Sequence, residues 1–117
     1  MATHAIIEVY DEEERLVATV YKHWDGGPES VGRELKEFLK DRKVINGIPF
    51  FDIFFADPDN YNCANGMHEL AAQLVVFLKQ KYPIGDVYLV PSGWGDADYV
   101  YRIRFVGLNK PAKLEIV

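Results

Sequence analysis

Cysteine is nearly absent: Cys63 is the one thiol in 117 residues. A single cysteine forms no intrachain disulfide and no cysteine-based zinc site, and a reducing cytoplasm is the compartment expected for such a chain. Long apolar runs are also missing. The longest, LVVFL at 74–78, falls far short of the roughly 20 residues that cross a bilayer. The opening residues MATHAIIEVYDEEE hold no basic segment followed by an apolar one, so neither export nor membrane insertion is expected. Positive charge is in deficit, with 13 Lys and Arg against 18 Asp and Glu and a net charge of −5. That balance opposes non-specific attraction to nucleic acid or to an anionic membrane. No G-x-G-x-x-G or G-x-x-x-x-G-K-[ST] loop is present, and His4, His23 and His68 share no metal-ligand spacing. No metal and no cofactor is expected.

What the chain does have is a globular composition, 49% hydrophobic and 14% aromatic, at a length that suits one domain over residues 1–117. THAIIEVY and RLVATVYKHW are β-branched and aromatic runs joined by DEEE, which predicts a hairpin. After Gly26-Gly27, Pro28 suits a first helical position, and Val31, Leu35, Phe38 and Leu39 share one stripe of a helix expected over about 28–43. IPFFDIFF reads as an apolar strand. Met67, Leu70, Ala71, Leu74, Val75, Leu78 and Tyr82 mark a second helical stripe, stopped by Pro83-Ile84-Gly85. DVYLVP, ADYVYRIRF and KLEIV then read as strands. The order predicts an α+β fold, a mainly antiparallel sheet with two amphipathic helices packed on it.

A helix folded back on its sheet begins where the preceding strand ended. If the strand at 50–55 returns the chain, three loops gather at one rim: residues 23–28, 57–66 and 91–97. The candidate binding residues there are His23, Trp24, Asp25, Asn62, Asn65, Trp94 and Asp96. Short acidic and amide side chains are also the ordinary caps and turn-formers of loops, and DPDNYNCANG lacks the ordered ligand spacing of a calcium loop. Gly26 and Gly27 are expected to supply special backbone angles, and Gly32 to let the helix approach the sheet. Trp94, between Gly93 and Gly95, either folds over the core or projects as an anchor for a partner. Arg102 and Arg104, with Lys22, could form a basic outer face for nucleic acid, but Tyr99 and Tyr101 point to the opposite side, so nucleic acid is not the expected partner.

The segments Y-x-H-W-D-G-G-P-E-x-V-G-x-x-L at 21–35, N-x-M-x-x-L-A-A-Q-L-V at 65–75, Y-L-V-P at 88–91 and the late Y-V-Y-R-I resemble a family of small uncharacterised proteins of bacteriophage and prokaryotic genomes. The resemblance implies an intracellular, phage-encoded, single-domain protein and carries over no catalytic residue. The expected function is a non-enzymatic binding or accessory protein that engages a protein partner, or a second copy as a homodimer, through the rim. The alternative is a small hydrolase or transferase using Cys63 as nucleophile with His68 or His23 as base, since a thiol near a helix N-terminus is easily ionised.

Overall fold

The structure is a computed structural model that describes residues 2–47 and 62–117. Among the described residues ten elements follow in order: β1 (Ala5–Tyr10), β2 (Leu16–Lys22), α1 (Val31–Lys40), β3 (Lys43–Ile45), β4 (Cys63–Asn65), α2 (Gly66–Lys81), β5 (Val87–Val90), β6 (Tyr99–Arg104), β7 (Lys110–Pro111) and β8 (Lys113–Ile116). The α+β class stands. The strand expected at 48–55 lies outside the described residues.

Five strands form the main sheet in the order β5-β2-β1-β6-β8. Alternation along β1 turns Ala5, Ile7 and Val9 to one face, where each is fully buried; Val20, Tyr101 and Ile103 share that face through their register with Ile7 and Val9. α1 and α2 lay their apolar stripes here. Val31, Leu35, Phe38 and Leu39 of α1 and Met67, Leu70, Leu74 and Leu78 of α2 join the same core. At about 25 cal/mol per Å² of buried apolar surface, this shared face is the main stabilising term. Gly32 does let α1 come close: a Cβ there would sit 3.2 Å from the Tyr101 ring.

The sheet is mixed, not mainly antiparallel. β1 pairs antiparallel with β2 but parallel with β6, and a second sheet, β4-β3-β7, joins β3 to β4 in parallel. The cause lies in loop 91–98. Val90 ends β5 opposite Thr19, in mid-strand, whereas Tyr99 starts β6 opposite Ala5. The chain therefore travels back along the strands before entering β6, which then runs with β1. The N–H groups of Asp98 and Tyr99 both donate to the His4 carbonyl and fix that entry.

The starting point of α2 overturns the expected rim. The Met67 N–H donates to the Glu12 carboxylate in the β1–β2 turn, while Tyr82, just past the end of α2, lies over Lys22 at the other end of the sheet. Sixteen helical residues span about 24 Å, enough to run the length of these strands. α1 begins at the corner where β2 ends, with the Val31 N–H on the Asp25 carbonyl. The two helices thus start at opposite ends. α1 also opens at Val31, later than expected, because the preceding residues form a turn in which Ser30 and Gly32 N–H groups donate to the Gly27 carbonyl.

Candidate functional site: an aromatic corner on a buried ion pair

β2 alternates, so Ala18, Val20 and Lys22 point into the core. Lys22 is completely buried there, not on the outer face as a nucleic-acid platform requires. Its Nζ lies 2.6 Å from Asp86 Oδ2, donates to the Trp24 carbonyl and sits 3.9 Å from the centre of the Tyr82 ring. Asp86, in the left-handed region at φ 67°, uses Oδ1 to accept the N–H groups of His23 (3.1 Å) and Trp24 (2.9 Å). Burial opposes ionisation of this carboxyl, but the hydrogen bond from Lys22 and those from the Trp24 and His23 amides outweigh it and hold Asp86 below the usual carboxylate range. One acidic residue between α2 and β5 thereby ties down the whole exit of β2.

The turn itself is packed against the N-terminal strand. A Cβ on Gly26 would come within 2.8 Å of Ala5 and His4, so glycine is needed there for space, while the left-handed angle falls on Asp25, at φ 55°. This corrects the assignment of special angles to Gly26 and Gly27. The Gly26 carbonyl accepts the Tyr101 hydroxyl at 2.7 Å inside the core. Burial pushes that phenol up to about 12, so it stays a donor. Tyr82 is likewise raised, by burial first and then by its hydrogen bond to Glu34.

On the sheet's other face, His4, Tyr21 and His23 interlock. His4 Nδ1 lies 2.7 Å from the His23 carbonyl, which can only accept, so that nitrogen carries the proton. The Tyr21 hydroxyl lies between the two rings, 3.1 Å from His4 Nδ1 and 2.9 Å from His23 Nδ1. The two imidazoles stand 4.6 Å apart, Trp24 meets His23 edge-on at 4.7 Å, and Tyr88 flanks Tyr21 at 6.3 Å. Asp98 closes the group by accepting the His4 N–H at 2.8 Å, which brings the end of loop 91–98 to the corner.

Of the residues expected at the rim, His23, Trp24 and Asp25 occupy this corner, and Trp94 and Asp96 belong to the loop that Asp98 ties to it. Trp94 projects, about half exposed. Asn62 and Asn65 are elsewhere: the Asn62 carbonyl accepts the Lys43 N–H, and Asn65 Oδ1 accepts the Gly47 N–H beside the start of α2, at the hairpin end. Residues 57–61 lie outside the described residues. Cys63 in β4 is half-buried, with its carbonyl taken by Gln73 midway along α2. His68 is exposed beside Asp11, Glu12, Glu13 and Arg15. Among the described residues no hydrogen bond joins the Cys63 thiol to a histidine, and no group of three His, Cys, Asp or Glu is placed to hold a metal ion.

Sequence reasoning missed Lys22, Asp86, His4, Tyr21, Tyr88 and Asp98. The signal for Lys22 was its inward parity, since a buried lysine demands a carboxylate partner. Comparison of the chain with models of protein families, with curated proteins and with solved structures gives no match in any of the three. Among the described residues no helix is long and apolar enough to cross a membrane.

Proposed function

We propose that the chain is a non-enzymatic binding protein that engages a protein partner through the corner formed by residues 23–30, 84–86 and 91–98. One observation carries the reading. Trp24 is 52% exposed although its backbone is fixed on both sides, with its N–H on Asp86 and its carbonyl on Lys22. An indole held out in water on a fixed backbone contributes little to the core, but it is preorganised for a partner and loses little freedom on binding. Tyr88 at 50%, Trp94 at 49% and Ile84 at 93% extend the exposed apolar surface in and beside the same loops. None of the three segments contains Lys or Arg, and Asp25, Glu29, Asp96 and Asp98 are exposed, which gives the surface an acidic rim. The Cys63 hydrolase reading is not adopted, because His23 is engaged with His4, Tyr21 and Asp86 and, among the described residues, neither it nor His68 bonds to the thiol. An intracellular location, read from the scarcity of cysteine, belongs to the same proposal.

The test is affinity capture with the wild-type chain and with Trp24→Ala, alongside the melting temperature of each. The expected outcome is loss of a specifically captured protein with the melting temperature nearly unchanged. Parallel loss of both, or capture indifferent to Trp24, would assign the indole to the fold or to nothing, and the reading would fall.

A further inference from the structure

The two edges of the main sheet differ in how they meet solvent. At β5, the Asp86 carbonyl faces β2, where it accepts the His23 N–H, so by antiparallel alternation Val87 turns its own groups outward. Those groups are occupied. The Val87 N–H closes on the Gly85 carbonyl at 2.7 Å, and Lys79 Nζ reaches the Gly85 and Val87 carbonyls at 3.2 and 3.4 Å. Pro91 follows the strand, leaving only Leu89 with outward groups. A short strand, a lysine and a proline are the usual devices that blunt an edge.

β8 lacks them. The Val117 N–H donates to the Val100 carbonyl at 2.8 Å, so Val117, Glu115 and Lys113 face β6, while Leu114 and Ile116 turn N–H and C=O outward. Among the described residues no strand pairs with that side. We infer that β8 pairs antiparallel with β8 of a second copy about a two-fold axis at Leu114, joining two five-stranded sheets into one. The occupant is set by the strand's own pattern. With Leu114 opposite its symmetry mate, Lys113 stands opposite Glu115 of the second copy, and Glu115 opposite its Lys113. Both ion pairs lie on the sheet face away from the helices, at the closely spaced positions of the ladder.

The helix face agrees with this register. Ile116 is 44% exposed, and it falls opposite Ala112 of the second copy. There a groove of about 250 Å³ is lined by Lys36, Leu39, Lys40, Pro111, Ala112 and Leu114, with an apolar floor for the Ile116 side chain. Shifting the axis to Glu115 would set that carboxylate against its own copy and move Ile116 off the groove. Like charges directly opposite destabilise a ladder, so charge and shape select the same alignment. The dimer is isologous, with its axis on β8, whereas the aromatic corner is centred on the exit of β2.

Charge exchange tests it. Light scattering across a concentration series should show wild-type chain passing from monomer to dimer. Lys113→Glu alone and Glu115→Lys alone should each dimerise about tenfold more weakly, because two cross-strand pairs turn from attraction to repulsion. The double variant K113E/E115K, and an equimolar mixture of the two single variants, should regain association. Glu115 also pairs with Arg104 at 2.9 Å within the chain, so E115K is checked by its melting curve, whereas Lys113 has no such described bond and K113E is the cleaner arm. Wild-type chain that stays monomeric throughout overturns the inference, as does a dimer indifferent to all the exchanges.

Discussion

Two aspartates organise the two ends of the main sheet, one by local and one by distant means. Asp11 opens the β1–β2 turn: Oδ1 accepts the N–H groups of Glu13 and Arg15 and Oδ2 the Arg15 side chain, all within four residues. Asp86 gathers Lys22, His23 and Trp24 from 62 to 64 positions away. Both carboxyls are held below the ordinary range, Asp11 mainly by the Arg15 amide and Asp86 by Lys22 and the amides against the opposing effect of burial. The hairpin end closes by itself. The corner end exists only once α2 and β5 have been docked on β2, and it is there that exposed aromatic side chains are held.

The largest effect should come from Lys22→Met, which strands Asp86 without its cation: about 3–5 kcal/mol of stability is expected to be lost in denaturant unfolding, with partial recovery when Asp86→Asn is added. Equal tolerance of Lys22→Met and Asp11→Ala would erase the distinction between the two ends. Next, Tyr101→Phe leaves the Gly26 carbonyl without its donor and should cost about 1–3 kcal/mol, read by the same unfolding curve. Acid sharpens the comparison further. Since folding lowers the Asp86 pKa from its ordinary 3.8, the stability it contributes is complete above that value and is lost as pH falls below it. Asp86→Asn should flatten the acid limb of a stability-versus-pH curve and perturb Trp24 fluorescence, whereas Asp11→Ala should leave Trp24 fluorescence alone. The smallest expected effect is Glu12→Gln: losing a carboxylate that accepts the Met67 N–H at the start of α2 is worth about 0.3–1 kcal/mol.

This contrast also governs how much was legible in the sequence. The DEEE turn, the stripes of α1 and α2 and the alternation of β6 are local patterns, and each lies where periodicity placed it, with helix ends shifted by capping geometry. Loop 91–98 has no such pattern, and its return along the strands is what makes β6 run with β1. The three-residue strands β3 and β4 have too few positions to show a period. At the site, His23, Trp24, Asp25 and Trp94 were readable because aromatic and turn residues cluster at a strand exit. Asp86 was not, since its role depends on a lysine on another strand.

The pairing of β1 with β6 also fixes a timetable. β1 is synthesised long before β6 and takes its place at the sheet's centre only when residues 99–104 arrive. Until then Ala5, Ile7 and Val9 are held on one side alone, by the hairpin partner β2. A nascent chain is thus left with an apolar, half-finished ladder from the synthesis of β2 until that of β6, the interval in which neighbouring copies or a chaperone compete for it.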